Sequence, residues 1–367
     1  MDGLFYGIQA MTWREAVMLA VGGALIYLAV RKQYEPVLLL PIGFGAILSN
    51  IPGSSAIGPH GFLTKLYDAG IITELFPLLI FIGIGAMVDF GPLFEQPSML
   101  FFGAAAQVGI FLTMVLATVL GFDLREAASI GIIGAADGPT AIYVATKFAP
   151  HLLAPISVAA YSYMSLVPII QPPIVKALTT KRERRIKMEP VRSREISQRT
   201  RILFPIVITL VAGLVAPMSL ALVGSLMFGN LLRESGVVDR LSKTAQNELA
   251  NLVTLLLGIT IGSTMTASEF LRPTTLLIIG MGLLAFVFDT AGGVLFAKFL
   301  NLFLKKKVNP MVGACGISAF PMSARVIHKM AQQEEPGNFI LMQAVSANVA
   351  GQIASIIAGA MVLALVR

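Results

Sequence analysis

Asp137 has the surroundings that most demand a chemical role. It stands among Ile132, Ile133, Ala135, Ala136 and Ile142, and a carboxylate at the centre of an apolar membrane segment costs about 2.5 to 3.5 kcal/mol to insert. A group placed there against such a penalty has a partner or a job. Binding a small cation is one such job; capping the helix that restarts after Gly138-Pro139 is another, and one carboxylate can do both. A second set of polar residues, Asn309, Ser318, Ser323, Arg325 and Asn348, is scattered through apolar sequence in the C-terminal half. Sodium, like calcium and magnesium, prefers oxygen ligands. A carboxylate with amide, hydroxyl and freed backbone carbonyl oxygens can replace its water shell. An isolated Asn or Ser in such a setting serves equally well as interhelical packing. Arg325 stays protonated, so it reads as a countercharge or as the lining of an aqueous path.

The remaining polar residues point away from other chemistries. Cys315 is the single cysteine, which excludes an intramolecular disulfide, and His60, His151 and His328 lack the spacing of metal ligands. No Ser/His/Asp or Cys/His constellation is visible, and the 17 methionines read as packing filler. Gly22-Gly23 and Gly292-Gly293 read as close helix contacts without a phosphate-loop context. Asp89, Glu269 and Asp289 fall at or near the ends of predicted spans and read as interfacial charges. Tyr161 and Tyr163 precede Ser165, Pro168 and Gln171-Pro172-Pro173, where tyrosine is commonly an interfacial anchor.

The elements that must hold these residues are membrane helices. Of 367 residues, 56% are hydrophobic and 13% charged, with a mean hydropathy of +0.81, whereas soluble domains carry about a quarter charged residues. Apolar runs near the length that crosses ~30 Å of hydrocarbon predict an all-α polytopic bundle. The N-terminal MDGLFYGIQAMTWREAV has no basic region or small-residue cleavage site, so it does not read as a cleaved signal peptide. The net charge of +7 would suggest nucleic acid if it were spread over a soluble surface. It is not: residues 181–201 hold nine Lys/Arg against three Glu. That segment reads as a cytoplasmic loop fixed by the positive-inside rule, with anionic lipid or a partner subunit as a further contact, and nucleic acid is not an expected partner.

Apolar segments fall near 15–31, 37–51, 72–91, 99–120, 127–149 and 151–178, then near 202–217, 218–231, 249–267, 274–300, 309–331 and 339–366. Local matches recur across the basic loop. Asn50 pairs with Asn230 at 180 residues, Ile82-Gly83-Ile84-Gly85 with Ile259-Thr260-Ile261-Gly262 at 177, and Gly134 to Pro139 with Gly316 to Pro321 at 182. Together they suggest an internal duplication, with a first membrane repeat over 1–178, the loop over 179–201 and a second repeat over 202–367. Segments 127–149 and 309–331 carry Gly-to-Pro breaks, and a broken helix at membrane depth is tolerated only where it is buried or lines a polar cavity. If both are re-entrant, each half has about five spans and the repeats are inverted. A cytoplasmic loop then places Arg31-Lys32 and Lys305-Lys306-Lys307 inside as well. The two hairpins enter from opposite faces, and the offset of 182 brings Asp137 and Ser318 together at their tips.

The stretch GIIGAADGPTAIYVATK (131–147) followed by AAYSYMSLVPIIQPPI (159–174) resembles the β subunits of the sodium-translocating biotin-dependent decarboxylases of oxaloacetate, methylmalonyl-CoA and glutaconyl-CoA. Further matches are GAMVDFGPL (85–93), NPMVGACGISAFPMSARV (309–326) and SANVAGQIAS (346–355), so the resemblance covers most of the chain. It implies a translocase subunit in a prokaryotic plasma membrane, in which decarboxylation of carboxybiotin on a partner subunit drives sodium outward while a proton is consumed. The implied partners are a biotin carrier subunit, a carboxyltransferase subunit, a small membrane subunit and further copies of this chain. Biotin sits on the partner and not on this chain. By motif, the resemblance marks Asp137, Tyr163, Ser318 and Arg325 as residues of the coupling step, with Gly313 beside them. It marks Asp137, Asn309, Ser318 and Asn348 as sodium ligands, and it raises Tyr163 above its anchor reading, since a phenol beside a cation site can exchange a proton. Hairpins around one site suit an elevator-like architecture. An ordinary sodium-coupled transporter and a non-catalytic scaffold stay open as alternatives.

Overall fold

The computed structural model describes residues 5–33, 36–188, 196–319 and 321–366. Among them every regular element is helical. The principal helices are α1 (Trp13–Lys32), α2 (Pro36–Ser49), α3 (Leu75–Met87), α4 (Leu100–Ala106), α5 (Val108–Val119), α6 (Leu124–Gly131) and α7 (Gly138–Phe148). They continue as α8 (Leu153–Leu178), α9 (Gln198–Val215), α10 (Leu220–Glu234), α11 (Ala250–Thr264), α12 (Pro273–Phe303), α13 (Met322–Glu334) and α14 (Leu341–Leu365). By length and apolar composition, five helices are able to cross a membrane, or seven if each of two bent pairs is one span. Their ends follow from sequence: Glu15 accepts the Thr12 N–H at 2.7 Å where α1 starts, and Arg31 and Lys32 lie in its last turn. The apolar run near 99–120 is one span interrupted at Gln107, and α8 bends by 68° close to Pro168, which has no N–H to give the preceding turn.

The helices pack in two groups, each drawing on both halves of the sequence. One group contains α1, α2, α3, α9, α10 and α11, with α2 packed along α11 and α3 along α10. The other contains α4 to α8 and α12 to α14, with α12 at its centre, touching α8, α5, α4 and both broken segments. Contacts between the groups are sparse.

Within the first group the close approaches are made by glycine. A Cβ on Gly45 would lie 2.2 Å from the Ile259 carbonyl, and one on Gly262 would lie 2.0 Å from that of Ile42. Corresponding contacts join Gly229 to Ile82 and Gly85 to Leu226, each at 1.9 Å. These place α2 and α10 in a packing register of 184 residues, while α3 and α11 keep the offset of 177 read from sequence. The 180-residue offset between Asn50 and Asn230 is therefore not the packing register. Both amides nonetheless bond the end of the neighbouring helix: Asn50 Nδ2 donates to the Met265 carbonyl at 2.7 Å and Asn230 Nδ2 to that of Val88 at 3.1 Å. Gly22 and Gly43 face each other's carbonyls, and Gly293 and Gly313 do the same, with a Cβ on either of the second pair only 2.0 Å from the opposing oxygen. The Gly22 and Gly293 close contacts expected from sequence are present. Gly23 faces open space.

Candidate functional site

The break expected at 134–139 is formed by three successive conformations. A 3₁₀ turn over Ile132–Ala135 ends at Ala136, which takes a left-handed φ of 53°, and Asp137 is extended before α7 begins. Pro139 sits in the first turn of α7, where a missing N–H removes no hydrogen bond. Asp137 is the N-cap: Oδ1 accepts the Thr140 N–H at 3.4 Å and Oδ2 accepts the Thr140 hydroxyl at 2.8 Å. The capping role read from sequence is real, and it leaves the carboxylate buried and still able to take further partners.

Those partners come from the second break. Asn309 caps the 3₁₀ segment Pro310–Gly316, Ile317 after it is extended, and α13 begins at Met322. Phe320, between them, lies outside the described residues. The two tips touch: the Ser318 N–H donates to the Ala135 carbonyl at 3.0 Å, and the Ser318 hydroxyl donates to Asp137 Oδ2 at 3.3 Å. The third side comes from α14, where Asn348, Gln352 and Ser355 recur at helical spacing on one face. Ser355 donates to Asp137 Oδ2 at 3.1 Å, Gln352 Nε2 donates to the Ser318 carbonyl, and Asn348 Nδ2 donates to the carbonyls of Cys315 at 3.2 Å and Ile317 at 2.7 Å. Asn348 Oδ1, Gln352 Oε1 and the Tyr161 hydroxyl are buried with no hydrogen-bond partner among the described residues. Buried polar atoms normally have partners, so these three are available to a bound ligand.

Asp137, Ser318, Gln352 and Tyr161 line one cavity of about 440 Å³ lying between the two helix groups, with Val37 and Met87 across it. Among the described residues no Lys, Arg or His lines it. Asp137 with the hydroxyls of Thr140, Ser318 and Ser355 and the amide oxygens of Gln352 and Asn348 offers the oxygen donors and the single negative charge that could hold one monovalent hard cation. Among the described residues no cluster of three or more His, Cys, Asp or Glu exists for a transition metal.

Other residues singled out in the sequence go elsewhere. Asn309 donates to the carbonyls of Arg184 and Ile186, at 2.9 Å each, and so ties the start of the basic segment to the base of the second hairpin. Arg184 is itself buried there, with Nε 2.7 Å from Glu334; residues 189–195 of the loop lie outside the described residues. Arg325 is exposed on α13. Both tyrosines are buried, so neither is an interfacial anchor. Tyr163 donates to the Ile279 carbonyl on α12, while Tyr161 is the one at Asp137, its ring pressed on Gly138, where a Cβ would lie 2.3 Å away. Asp89 and Glu269 pair with Arg233 and Arg272, as interfacial charges do. Asp289 does not: it is fully buried near the middle of α12, and since the run near 274–300 already holds it mid-segment, its reading as an interfacial charge is corrected. Thr140, Gln352, Ser355 and Tyr161 were missed as site residues. The first follows from N-capping at three residues' spacing, and the next two from the polar stripe that Asn348 begins.

Comparison with known proteins gives a consistent answer. Residues 14–366 match the family described as the Na⁺-transporting oxaloacetate decarboxylase beta subunit. The chain is 51% identical to the glutaconyl-CoA decarboxylase subunit beta of Acidaminococcus fermentans, over 98% of this chain and 95% of that one. It is 52% identical to the methylmalonyl-CoA decarboxylase subunit beta of Veillonella parvula, over the same shares. With the oxaloacetate decarboxylase beta chain of Haemophilus ducreyi the identity is 44%, over 97% and 96% of the two chains. This multi-pass membrane chain belongs to the family of β subunits of the Na⁺-transporting decarboxylases.

Proposed function

We propose that this chain couples decarboxylation of carboxybiotin, carried on a partner subunit, to outward movement of sodium, with a proton consumed. The observation that carries the reading is Asp137: a buried carboxylate where two broken helices meet, ringed by the hydroxyls of Thr140, Ser318 and Ser355. Sodium is the cargo and takes the place of the bonds that Asn348 Oδ1, Gln352 Oε1 and the Tyr161 hydroxyl lack. A proton competes with it for the same carboxylate oxygens, which links sodium occupancy to pH. Biotin stays on the carrier subunit; a carboxyltransferase subunit, a small membrane subunit and further copies of this chain complete the assembly.

The repeats are inverted, with about five spans each and one re-entrant hairpin per half. This is supported by the corresponding contacts of Gly45 and Gly229, and by the meeting of the two tips at Ala135 and Ser318. The basic clusters Arg31-Lys32, 181–201 and Lys305 to Lys307 are then cytoplasmic. The cavity reaches Asp137 from between Val37, Met87 and Ala250, on the side where Arg31 and Lys32 lie, so this conformation faces inward. The group carrying both hairpins slides against the other group as an elevator, supported by the sparse contacts between them and by the site's place at their boundary. Moving one charge against 100 mV costs about 2.3 kcal/mol, so the site must bind sodium more weakly when it faces outward.

The test is radiosodium uptake into proteoliposomes holding the whole complex, driven by decarboxylation. Uptake that needs Asp137 and is abolished with decarboxylation in Asp137→Asn supports coupling. Full uptake in the variant removes Asp137 from the pathway.

A further inference from the structure

Asp289 is a second carboxylate at membrane depth, and the sodium site does not use it. It is fully buried near the middle of α12. Oδ1 accepts the Ile110 N–H at 3.1 Å, in the first turn of α5 just past the break at Gln107. Oδ2 has no partner among the described residues, and it is aimed at the first hairpin, where a Cβ on Gly134 would lie 2.6 Å from it. Gly134 belongs to the 3₁₀ turn that leads into Ala136 and Asp137.

Among the described residues no countercharge faces this carboxyl. Of the elements packed on α12, α4, α5 and the turn Ile132–Ala135 carry no titratable side chain. The segment Pro310–Gly316 brings Cys315, and α8 brings Tyr161, Tyr163 and, near its far end, Lys176. Arg125 and Glu126 lie in the first turn of α6, and Lys298 on α12 itself is held by Glu183 and the Leu178 carbonyl. An ionised carboxylate so placed is strongly disfavoured, whereas a carboxylic acid is neutral.

The offset of 182 that relates Gly134 to Gly316 also relates Gln107 to Asp289. Gln107 Nε2 donates to the Gly316 carbonyl at 3.2 Å. Each hairpin is thus met by one side chain at the corresponding place: an amide at the second and a carboxyl at the first. A protonated carboxyl has one donor and one acceptor, which makes it the near-isostere of an amide.

We propose that Asp289 is a permanently protonated carboxylic acid that positions the Gly134 turn, and through it Asp137, as Gln107 positions Gly316. The inference rests on Asp137 being the sodium ligand. It makes Asp289 a positioning residue and neither a ligand nor the group that exchanges protons during transport.

The test uses the intact complex with Asp289→Asn and Asp289→Ala, reading half-saturating sodium, maximal rate and the infrared carbonyl band of a protonated carboxyl. Asp289→Asn should keep the wild-type pH profile and sodium dependence and lose that band. Asp289→Ala, which strands the Ile110 N–H and leaves a gap at Gly134, should raise half-saturating sodium on the order of tenfold in an assembled complex. In wild type the band should not change when sodium is added. Loss of coupled transport in Asp289→Asn, a band that vanishes with sodium, or wild-type behaviour of Asp289→Ala each overturns the proposal. Asp137→Asn run alongside separates the two readings, because its activity tests the sodium site whatever Asp289 does.

Discussion

Asp137→Asn changes charge with little change in shape. Asparagine caps a helix about as well as aspartate, so α7 keeps its start. The amide keeps one oxygen as a ligand, and the hydroxyls of Thr140, Ser318 and Ser355, which donate to Oδ2 at 2.8, 3.3 and 3.1 Å, can turn to accept from the new N–H₂. What is lost is the attraction between carboxylate and sodium. At an effective dielectric of about 20 and a separation of ~4 Å this is about 4 kcal/mol. At about 1.4 kcal/mol per decade, sodium affinity should fall roughly a thousandfold. Among the described residues no other carboxylate lines the cavity to replace it. The assay is decarboxylation by the reconstituted complex against sodium concentration, with thermal unfolding of the isolated subunit as the folding control. A half-saturating concentration within about threefold of wild type in a folded variant would refute the charge argument and leave Asp137 as a helix cap only.

Removing one hydroxyl at a time tests the rest of the ring: Ser318→Ala and Ser355→Ala should each weaken sodium activation about tenfold, as expected for one hydrogen bond to a charged group, without loss of assembly. Equal sodium curves would place these serines outside the site. Gly313→Ala drives a Cβ to 2.0 Å from the Gly293 carbonyl, so it should destabilise the subunit by about 1 to 3 kcal/mol, read as a lower unfolding temperature in detergent. Burial pushes the Glu183 carboxyl up, but hydrogen bonds from the Thr180 N–H and hydroxyl, together with Lys298, outweigh it and hold it below the usual carboxylate range. Its contribution is therefore present at neutral pH and fades only as pH falls through that lowered value. Limited proteolysis at Lys181 to Lys187 should accelerate in that acid window and stay flat above pH 5, and acceleration on going from pH 5 to 8 would contradict it.

Sequence alone determined the class of this protein, since runs of apolar residues with few charges have one stable solution in a bilayer, a bundle of helices. It also determined where helices break. Gly134 to Pro139 and Gly316 to Pro321 act on their own backbone, and the capping role of Asp137 needs only residues within a turn. The pairing of Asp137 with Ser318 was legible as well, because a constant offset carries one break onto the other. Tertiary structure decided which polar groups join them. Asn309 and Ser318 stand nine residues apart in one segment, yet the first ties down Arg184 and the second meets Asp137, since a broken helix separates its base from its tip. Tyr161 and Tyr163 differ by two residues, and helical rotation sends one hydroxyl into the cavity and the other to Ile279. The run near 274–300 already holds Asp289 mid-segment, against its reading as an interfacial charge, but only packing shows its carboxyl fully buried against Gly134. Spacing along a chain fixes local geometry; what a long apolar helix turns inward depends on neighbours that its own sequence does not contain.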